Sequence, residues 1–362
     1  MINNLLKKIP APLKGERVER KESCRLCGAK SGILLAEIDY WDIKNSRLVK
    51  CENCGLAQLD PMLTENDMST GCLAYYVEES LRSKEKERKR NLLRNFRRGV
   101  LFGYSLKKHC HVPREVLELG PGTGYFLEGL KFVFPDIKIT VMDINREVLA
   151  FNEQQHHYAT CLATPEKYIP EFQNKFDLIV ARDILEHVAD IGESLENIKK
   201  YLVPGGLFHF ITPNGHEDLW KHYLTYNHLH RHSELLINHV NYFDGKGLQK
   251  YLLKEHFLPV EYYTYKLKTT RRGRGWKVKP KLMAAVSQNR SAEWYIREKM
   301  AEIKNYTFIK NDILDKWFIN SRYKKPAFWV SWYHHVNLVK INPAYKVGHE
   351  IYGLFRTPED KC

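Results

Sequence analysis

The sequence has little that would place it in a membrane or outside the cell. No apolar run approaches the ~18 residues that a membrane-spanning helix needs. The first 13 residues contain lysines and two prolines but lack the apolar stretch of a secretory signal. No internal repeat is visible. We therefore expect a cytoplasmic protein without a transmembrane segment.

The composition is that of an ordinary globular protein. Of 362 residues, 43% are hydrophobic and 28% are charged, which is enough apolar material for a buried core and excludes wholesale disorder. The length predicts two to three domains. The formal net charge is +14, with an acidic middle and two basic flanks. The flanks are expected to contact an anionic partner, unless the charge serves only solubility.

Half of the eight cysteines form a pattern. Two Cys-x-x-Cys pairs are each followed by a glycine, and 23 residues separate them. Such pairs are typical of a structural zinc site with four thiolates, because each tight turn directs two sulfurs at one ion. Four free thiols are the alternative. The four expected ligands are Cys24, Cys27, Cys51 and Cys54.

The chain divides into parts of different composition. The pattern predicts short strands at Ile33–Ile38 and Arg47–Lys50 inside the cysteine-rich part, and helix from Thr64 to Cys110. The expected parts are a flexible N-terminus at 1–22, a zinc ribbon at 23–62, a basic helical connection at 63–112, a core at 113–267 and 347–362, and a basic, aromatic helical insertion at 268–346.

The core alternates between short apolar runs and helix-like segments. This alternation predicts βαβ units and a mostly parallel sheet, that is, an α/β fold. The first run ends in the turn Gly120-Pro121-Gly122-Thr123-Gly124, and the second ends in Asp143. Glycines at this position allow a ligand to approach the backbone closely, and an acid after the next strand accepts hydrogen bonds from ribose hydroxyls. The predicted strands are Glu115–Leu119, Ile137–Met142, Ala159–Leu162, Asp177–Ala181, Leu207–Thr212, Glu261–Lys266 and one near 348–356.

These motifs, in this order, resemble class I S-adenosylmethionine-dependent methyltransferases with a Rossmann-like seven-stranded sheet. The motif residues are Val116–Leu127, Val141–Ile144, Phe176–Val188, Leu202–Asn214 and His239–Phe243. The cysteine-rich segment in front of this core is similar to that of methyltransferases acting on sugars and surface glycans. The resemblance implies S-adenosylmethionine as cofactor and a saccharide acceptor.

The resemblance also implies cofactor-binding residues. Glu118 would lie near the methionine end of the cofactor, and Asp143 would bind the ribose. The acid that usually contacts the adenine amine is missing here, where the chain reads Leu162-Ala163-Thr164, so the adenine contact is assigned to Ala163. The whole set is Glu118, Gly120, Gly122, Gly124, Tyr125, Asp143, Ile144, Ala163 and Arg182.

Candidate catalytic residues follow the fourth strand of the core. Asp183, Glu186 and His187 would share one face if a helix began there. They are similar to the ExxEH metal motif of ubiquinone-pathway and small-RNA methyltransferases, with Asp in place of the first Glu. Three interpretations remain open: a Mg²⁺ site, His187 as general base, and a capping segment without chemistry. His239 completes the candidate catalytic set.

Two further segments could serve the acceptor. Histidines and aromatic residues between 216 and 242 suit a lid that stacks on a sugar or base. A second metal site is less favoured, because no carboxylate joins them at metal spacing, and a polar loop without a ligand is the remaining alternative. The stretch 265–281 carries eight Lys or Arg and no acid, with Arg271, Arg272 and Arg274 at its centre. Such a segment suits a phosphate-bearing glycan, RNA or the anionic inner face of a membrane.

The sequence leads to one main function and two alternatives. The main one is methylation of a nucleotide-sugar, lipid-linked sugar or surface polysaccharide, on oxygen rather than carbon. The second is RNA methylation, although no Asn/Asp-Pro-Pro-Tyr/Phe motif follows the fourth strand. The third is a scaffold that binds the cofactor without activity in a glycan-assembly complex. The oligomeric state is not predicted.

Overall fold

The structure is a computed structural model with side chains. It describes residues 16–40, 43–64, 85–215, 218, 239–265, 269–272, 275–278 and 349–359. Predictions for the other residues, which include the histidines from 216 to 232, Arg274 and the proposed helices from 284 to 329, lie outside the described residues.

A seven-stranded mixed sheet forms the centre of the described fold, as predicted. Five neighbouring strands are parallel, and the last strand of the chain inserts antiparallel to its two neighbours. The spatial order is β11-β14-β9-β8-β5-β6-β7. These strands are β5 (Glu115–Leu119), β6 (Lys138–Asp143), β7 (Ala159–Leu162), β8 (Phe176–Arg182), β9 (Leu202–Pro213), β11 (Leu258–Tyr265) and β14 (Glu350–Arg356).

The sheet is buried on both faces, which explains the continuous apolar runs in the sequence. Along β5, Val116 packs into one apolar cluster, whereas Leu117 and Leu119 pack into the other, as the twofold alternation of a strand requires. The helices are α1 (Glu85–Lys108), α2 (Tyr125–Val133), α3 (Arg146–His156), α4 (Ile191–Tyr201) and α5 (Gly245–Lys254), with a 3-10 turn at Pro170–Phe172.

Helices α1 and α2 approach each other closely through glycine. A Cβ on Gly99 would lie 1.9 Å from the carbonyl oxygen of Phe126, and a Cβ on Gly129 would lie 2.0 Å from that of Phe96. Only glycine permits this crossing distance. The basic helix α1, expected as part of a connection at 63–112, is therefore packed against the helix that follows the glycine turn.

A second, antiparallel sheet holds the cysteine-rich part. Its order is β1-β2-β3-β4-β10, formed by β1 (Arg17–Glu19), β2 (Ser31–Tyr40), β3 (Ile43–Cys51), β4 (Ala57–Asp60) and β10 (Asn241–Tyr242). Both predicted ribbon strands are present and longer than predicted.

Strands occur near the ends of two of the expected parts, the N-terminal segment and the insertion. Residues 1–22 were expected to be flexible, but Arg17–Glu19 pairs with Ser31–Ile33, because its extended backbone completes the edge of β2. At the basic start of the insertion 268–346, the described residues form a hairpin of β12 (Thr269–Arg272) and β13 (Gly275–Val278), whereas the helices expected at 284–329 lie outside the described residues. Threonine, tryptophan and valine favour strands at these positions, and glycines lie next to the turn.

Candidate functional site

The four patterned cysteines come together. Their sulfur atoms all lie within 4.8 Å of one another. Cys24 Sγ lies 3.6 Å from Cys54 Sγ, and Cys27 Sγ lies 3.5 Å from Cys51 Sγ. Four sulfurs at about 2.3 Å from a central zinc ion would be about 3.8 Å apart, so the donor set fits tetrahedral zinc.

The two cysteine turns have the same backbone. Gly28 and Gly55 have φ of 73° and 76°, and each N–H donates to the carbonyl of the first cysteine of its pair. The amides of Leu26 and Cys27 point at the sulfur of Cys24, and those of Asn53 and Cys54 point at Cys51. Amide donors of this kind stabilise thiolates around a metal.

The glycine turn lies at the carboxyl end of β5, as expected from the sequence. Gly120, Gly122 and Gly124 have φ between 54° and 71°, in the left-handed region. A Cβ on Gly120 would lie 2.0 Å from Ile184 Cδ1, and one on Gly124 would lie 2.2 Å from Asn152 Oδ1. A Cβ on Gly122 would meet no described atom within 4 Å. Packing thus explains two of the glycines, whereas Gly122 borders open space.

Glu118 and Arg182 form a buried pair directly below this turn. Glu118 is 2% exposed, and its Oε1 lies 3.9 Å from Arg182 Nη1. Within the described part of the chain, Glu118 Oε2 has no hydrogen-bond partner. Burial raises the pKa of Glu118 to about 8, against the lowering effect of Arg182. The guanidinium of Arg182 also lies over the ring of Phe126, 4.0 Å from its centroid.

Asp143 ends β6, the strand next to β5, at the same edge of the sheet. Its Oδ1 accepts the N–H of Asn145 at 2.8 Å, and burial raises its pKa to about 6. The backbone N–H of Ala163 donates to the Asp143 carbonyl, so Ala163 lies beside it, with Ile144 next in the chain. Tyr125, the first residue of α2, packs edge-on against His156.

No helix begins at Asp183, so the condition under which Asp183, Glu186 and His187 would share one face is not met. Asp183 is in the left-handed region at φ 56°, residues up to His187 form a turn, and α4 begins only at Ile191. The side chain of Asp190 caps that helix by accepting the N–H of Glu193, which fixes the later start. The three side chains therefore do not share a helix face.

The turn nevertheless brings a carboxylate and two imidazoles together. Glu186, His187 and His239 offer ligand atoms within 4.8 Å of one another, while Asp183 is exposed nearby. Glu186 is 1% exposed and accepts a hydrogen bond from Thr212 at 2.9 Å. Burial, reinforced by the negative charge of Asp183, raises the pKa of Glu186 to about 8.

Asp218 is a site residue that the sequence did not reveal. Its Oδ2 lies 2.6 Å from His239 Nδ1, and the residue is 2% exposed. The sequence-based expectation concerned carboxylates only at metal spacing from these histidines, and Asp218 lies outside that spacing from His239. The two residues are 21 positions apart, and no local spacing links them.

The fold and this edge of the sheet define a class of protein. A parallel α/β sheet with a glycine turn after one strand and an acid after the next is a nucleoside-cofactor-binding domain. The profile of the family described as "Methyltransferase domain" matches residues 78–258, half of the chain. The chain belongs to this methyltransferase family.

Curated relatives are similar over part of the core. A malonyl-[acyl-carrier protein] O-methyltransferase of Bacillus cytotoxicus is 30% identical over 101 residues, 27% of this chain and 34% of that protein. A ubiquinone biosynthesis O-methyltransferase of Caulobacter vibrioides is 31% identical over 102 residues, 27% of this chain and 40% of that protein. The matched stretch thus spans well under half of these relatives.

Among solved structures, this chain is similar to that of the plantazolicin methyltransferase BpumL in complex with a pentazolic desmethylPZN analog and SAH. Its TM-score is 0.45 at 12% identity, covering 81% of this chain and 96% of that chain.

Among the helices of the described residues, none has the length and apolarity to cross a membrane.

Proposed function

We propose that the protein transfers the methyl group of S-adenosylmethionine to an oxygen atom of its acceptor. The observation that carries this proposal is that Gly122, Glu118 and Asp143 lie at the same edge of the sheet as the Asp218–His239 pair. These groups come from the carboxyl ends of neighbouring parallel strands and the segments after them. The O-methyltransferase relatives support oxygen as the methylated atom.

The residues at the glycine turn fit such a cofactor. Gly122 borders open space, so a cofactor could approach the backbone of the turn closely there. Glu118 has a buried carboxyl oxygen without a hydrogen-bond partner among the described residues, and a cationic amino group would donate to it. Asp143 offers its second carboxyl oxygen to ribose hydroxyls. When bound, the sulfonium supplies an activated methyl group. Tyr125, Ile144, Ala163 and Arg182 would complete the contacts.

His239 is the group best placed to take the acceptor's proton. Asp218 holds its Nδ1, which leaves Nε2 as the basic nitrogen and stabilises the imidazolium that forms. The ring of His187 packs edge-on against that of His239, with centroids 4.9 Å apart, and orients it. Displacement at a sulfonium needs alignment above all, so fixed rings at this edge favour the reaction.

A divalent cation is a second way to activate the hydroxyl. Glu186, His187 and His239 would supply one oxygen and two nitrogens, a donor set that suits a transition metal such as Fe²⁺ or Zn²⁺, whereas Mg²⁺ would need further oxygen ligands. Asp183, one methylene shorter than the glutamate of the motif it resembles, would join only as a fourth ligand. At the other sheet, the sulfur geometry supports structural Zn²⁺ held by Cys24, Cys27, Cys51 and Cys54.

A saccharide is our proposed acceptor class, as a nucleotide-sugar, lipid-linked sugar or polysaccharide end. Its support is the resemblance of the cysteine-rich segment to that of sugar methyltransferases and the basic flanks of the chain. RNA is also anionic and would bind the same basic flanks. A cofactor-binding scaffold would need the glycine turn but not the Asp218–His239 pair.

Transfer of labelled methyl from S-adenosylmethionine into fractionated lysate of the source cell tests these proposals. Label in a fraction resistant to ribonuclease and protease supports a saccharide, and label lost to ribonuclease supports RNA. Dependence on added Fe²⁺, Zn²⁺ or Mg²⁺ after chelation separates the cation from the histidine base. The His239→Ala protein is the matched control for enzymatic transfer. Cofactor binding without label in any fraction would favour the scaffold.

A further inference from the structure

We propose that Gln58 and Asn241 form a buried amide relay through which the cysteine-rich sheet positions the turn that carries Glu186 and His187. The relay joins β4 to its neighbour β10 in the same sheet, and β10 begins two residues after His239. The role in catalysis rests on the function proposed above. The structural part of the proposal, that Gln58 fixes this turn, does not depend on the reaction.

Gln58 is the link on the side of the cysteine cluster. It is fully buried, and its Oε1 accepts the backbone N–H of Arg25, the residue after Cys24, at 3.2 Å. Its Nε2 donates to Asn241 Oδ1 at 2.6 Å. Because one end of the amide accepts and the other donates, both partners fix its orientation.

Asn241 is the link on the side of the turn. It is 2% exposed, and its Nδ2 donates to two carbonyls, that of Leu185 at 3.1 Å and that of Val188 at 2.7 Å. The backbone N–H groups of Val240 and Asn241 both donate to the carbonyl of Glu186, at 2.9 and 3.1 Å. The main chain on either side of Glu186 and His187 is thus held from a segment that Gln58 anchors.

The first cysteine turn also holds the far end of the same segment. Arg25 Nη1 lies 3.0 Å from Asp190 Oδ2, and the carbonyl of Arg25 accepts the N–H of Gly192 at 3.1 Å. A Cβ on Gly192 would lie 2.4 Å from that carbonyl, so the approach requires glycine. The segment from Leu185 to Gly192 therefore contacts the cysteine-rich part at both ends.

Polar groups at this junction specify geometry. Apolar side chains in place of Gln58 and Asn241 would be buried equally well. They would not fix the register of the pairing between β4 and β10, which is only two residues long. A shift of β10 would move His239 and the carbonyl contacts of Glu186 together. The cysteine-rich sheet is therefore part of the acceptor side of the site, and Gln58 is a positioning residue.

Gln58→Met is the sharpest test, because it keeps the length of the buried side chain but can neither accept from Arg25 nor donate to Asn241 Oδ1. We expect amide hydrogen exchange at Val240 and Asn241 to rise at least tenfold, with β5 amides unchanged. We expect kcat for labelled methyl transfer to fall about 10- to 100-fold, the usual effect of removing a group that orients a residue of the site. The KM and the calorimetric affinity for S-adenosylmethionine should stay as in the wild type.

Arg17→Ala is the matched control on the same sheet, since it removes only the exposed Arg17–Glu52 pair, and it should change none of these values. Circular dichroism and zinc content report folding, and Gln58→Leu replaces Gln58→Met if the latter does not fold. Unchanged exchange at Val240 and Asn241 in a folded variant would overturn the relay. Faster exchange with an unchanged kcat would overturn its catalytic role. If the wild type transfers no methyl group, the proposed function fails, while the exchange data still decide the relay.

Discussion

The imidazole Nδ1 of His239 lies 2.6 Å from Oδ2 of the buried residue Asp218. This contact fixes the tautomer, so that Nδ1 carries the proton and Nε2 does not, and it places a negative charge where an imidazolium would form. In Asp218→Asn the new amide can donate to Nδ1 and reverse the tautomer. We expect kcat to fall about 10²- to 10⁴-fold, the usual contribution of a general base.

The Asp218 prediction is checked by steady-state transfer rates with S-adenosylmethionine in excess. The double variant with His239→Ala should be no slower than His239→Ala alone, because both changes remove one function. A normal rate in Asp218→Asn would exclude His239 as the base in this tautomer.

Glu118 should lose a proton when the cofactor binds. Its raised pKa of about 8 keeps most of the carboxyl protonated at pH 7, and a cationic ligand beside it favours the carboxylate. Calorimetry at pH 7 in two buffers of different ionisation enthalpy should therefore give different binding heats. In Glu118→Gln the difference between the two binding heats should shrink. The affinity for the cofactor should fall about tenfold or more, because one charge-assisted hydrogen bond is lost. Equal heats in both buffers for the wild type would contradict this.

Gly122→Ala should weaken cofactor binding far more than it weakens the fold. Alanine in the left-handed region costs about 1–2 kcal/mol of stability, and its Cβ would occupy the open space beside the turn. Gly205→Ala is the matched control, because Gly205 has φ 74° and lies near Glu359, away from this edge. Thermal unfolding should show similar losses in both, and calorimetry should show lost affinity in Gly122→Ala alone. The same affinity loss in both variants would point to general strain.

Cys51→Ser should release zinc and destabilise the antiparallel sheet. A structural site of four thiolates contributes several kcal/mol to folding, and a hydroxyl is a poor replacement for a thiolate. Elemental analysis should give one zinc per chain in the wild type and much less in the variant. Cys110→Ser, at an exposed cysteine outside the cluster, should keep the metal. A wild type without zinc would leave four free thiols as the correct interpretation.

The order of the core strands was predictable because the signals are local. A strand buried on both faces is a continuous apolar run, and the turn after Leu119 has glycine at three alternate left-handed positions. The cysteine turns carry their geometry in four residues each. Such strands and turns depend on residues that are adjacent in the chain, so the sequence alone indicates them.

The acceptor side was less predictable because tertiary contacts decide it. Helical spacing at Asp183, Glu186 and His187 suggested a shared face, but contacts from Asn241 and the cap at Asp190 hold this stretch as a turn. The Asp218–His239 pair and the Gln58–Asn241 pair join distant segments. Two-residue strands such as β10 leave almost no pattern of their own, so pairing with β4 could not be anticipated.

The pairing of β4 with β10 also sets an order of events during synthesis. Gln58 leaves the ribosome 183 residues before Asn241, a delay of roughly 10 to 40 s at ordinary elongation rates. Through that interval β4 has an open edge whose amides and carbonyls can pair with another chain. Early zinc loading would hold the nascent hairpin in shape but would not close that edge. Slow translation between the two segments would therefore prolong the period in which the nascent chain is open to aggregation.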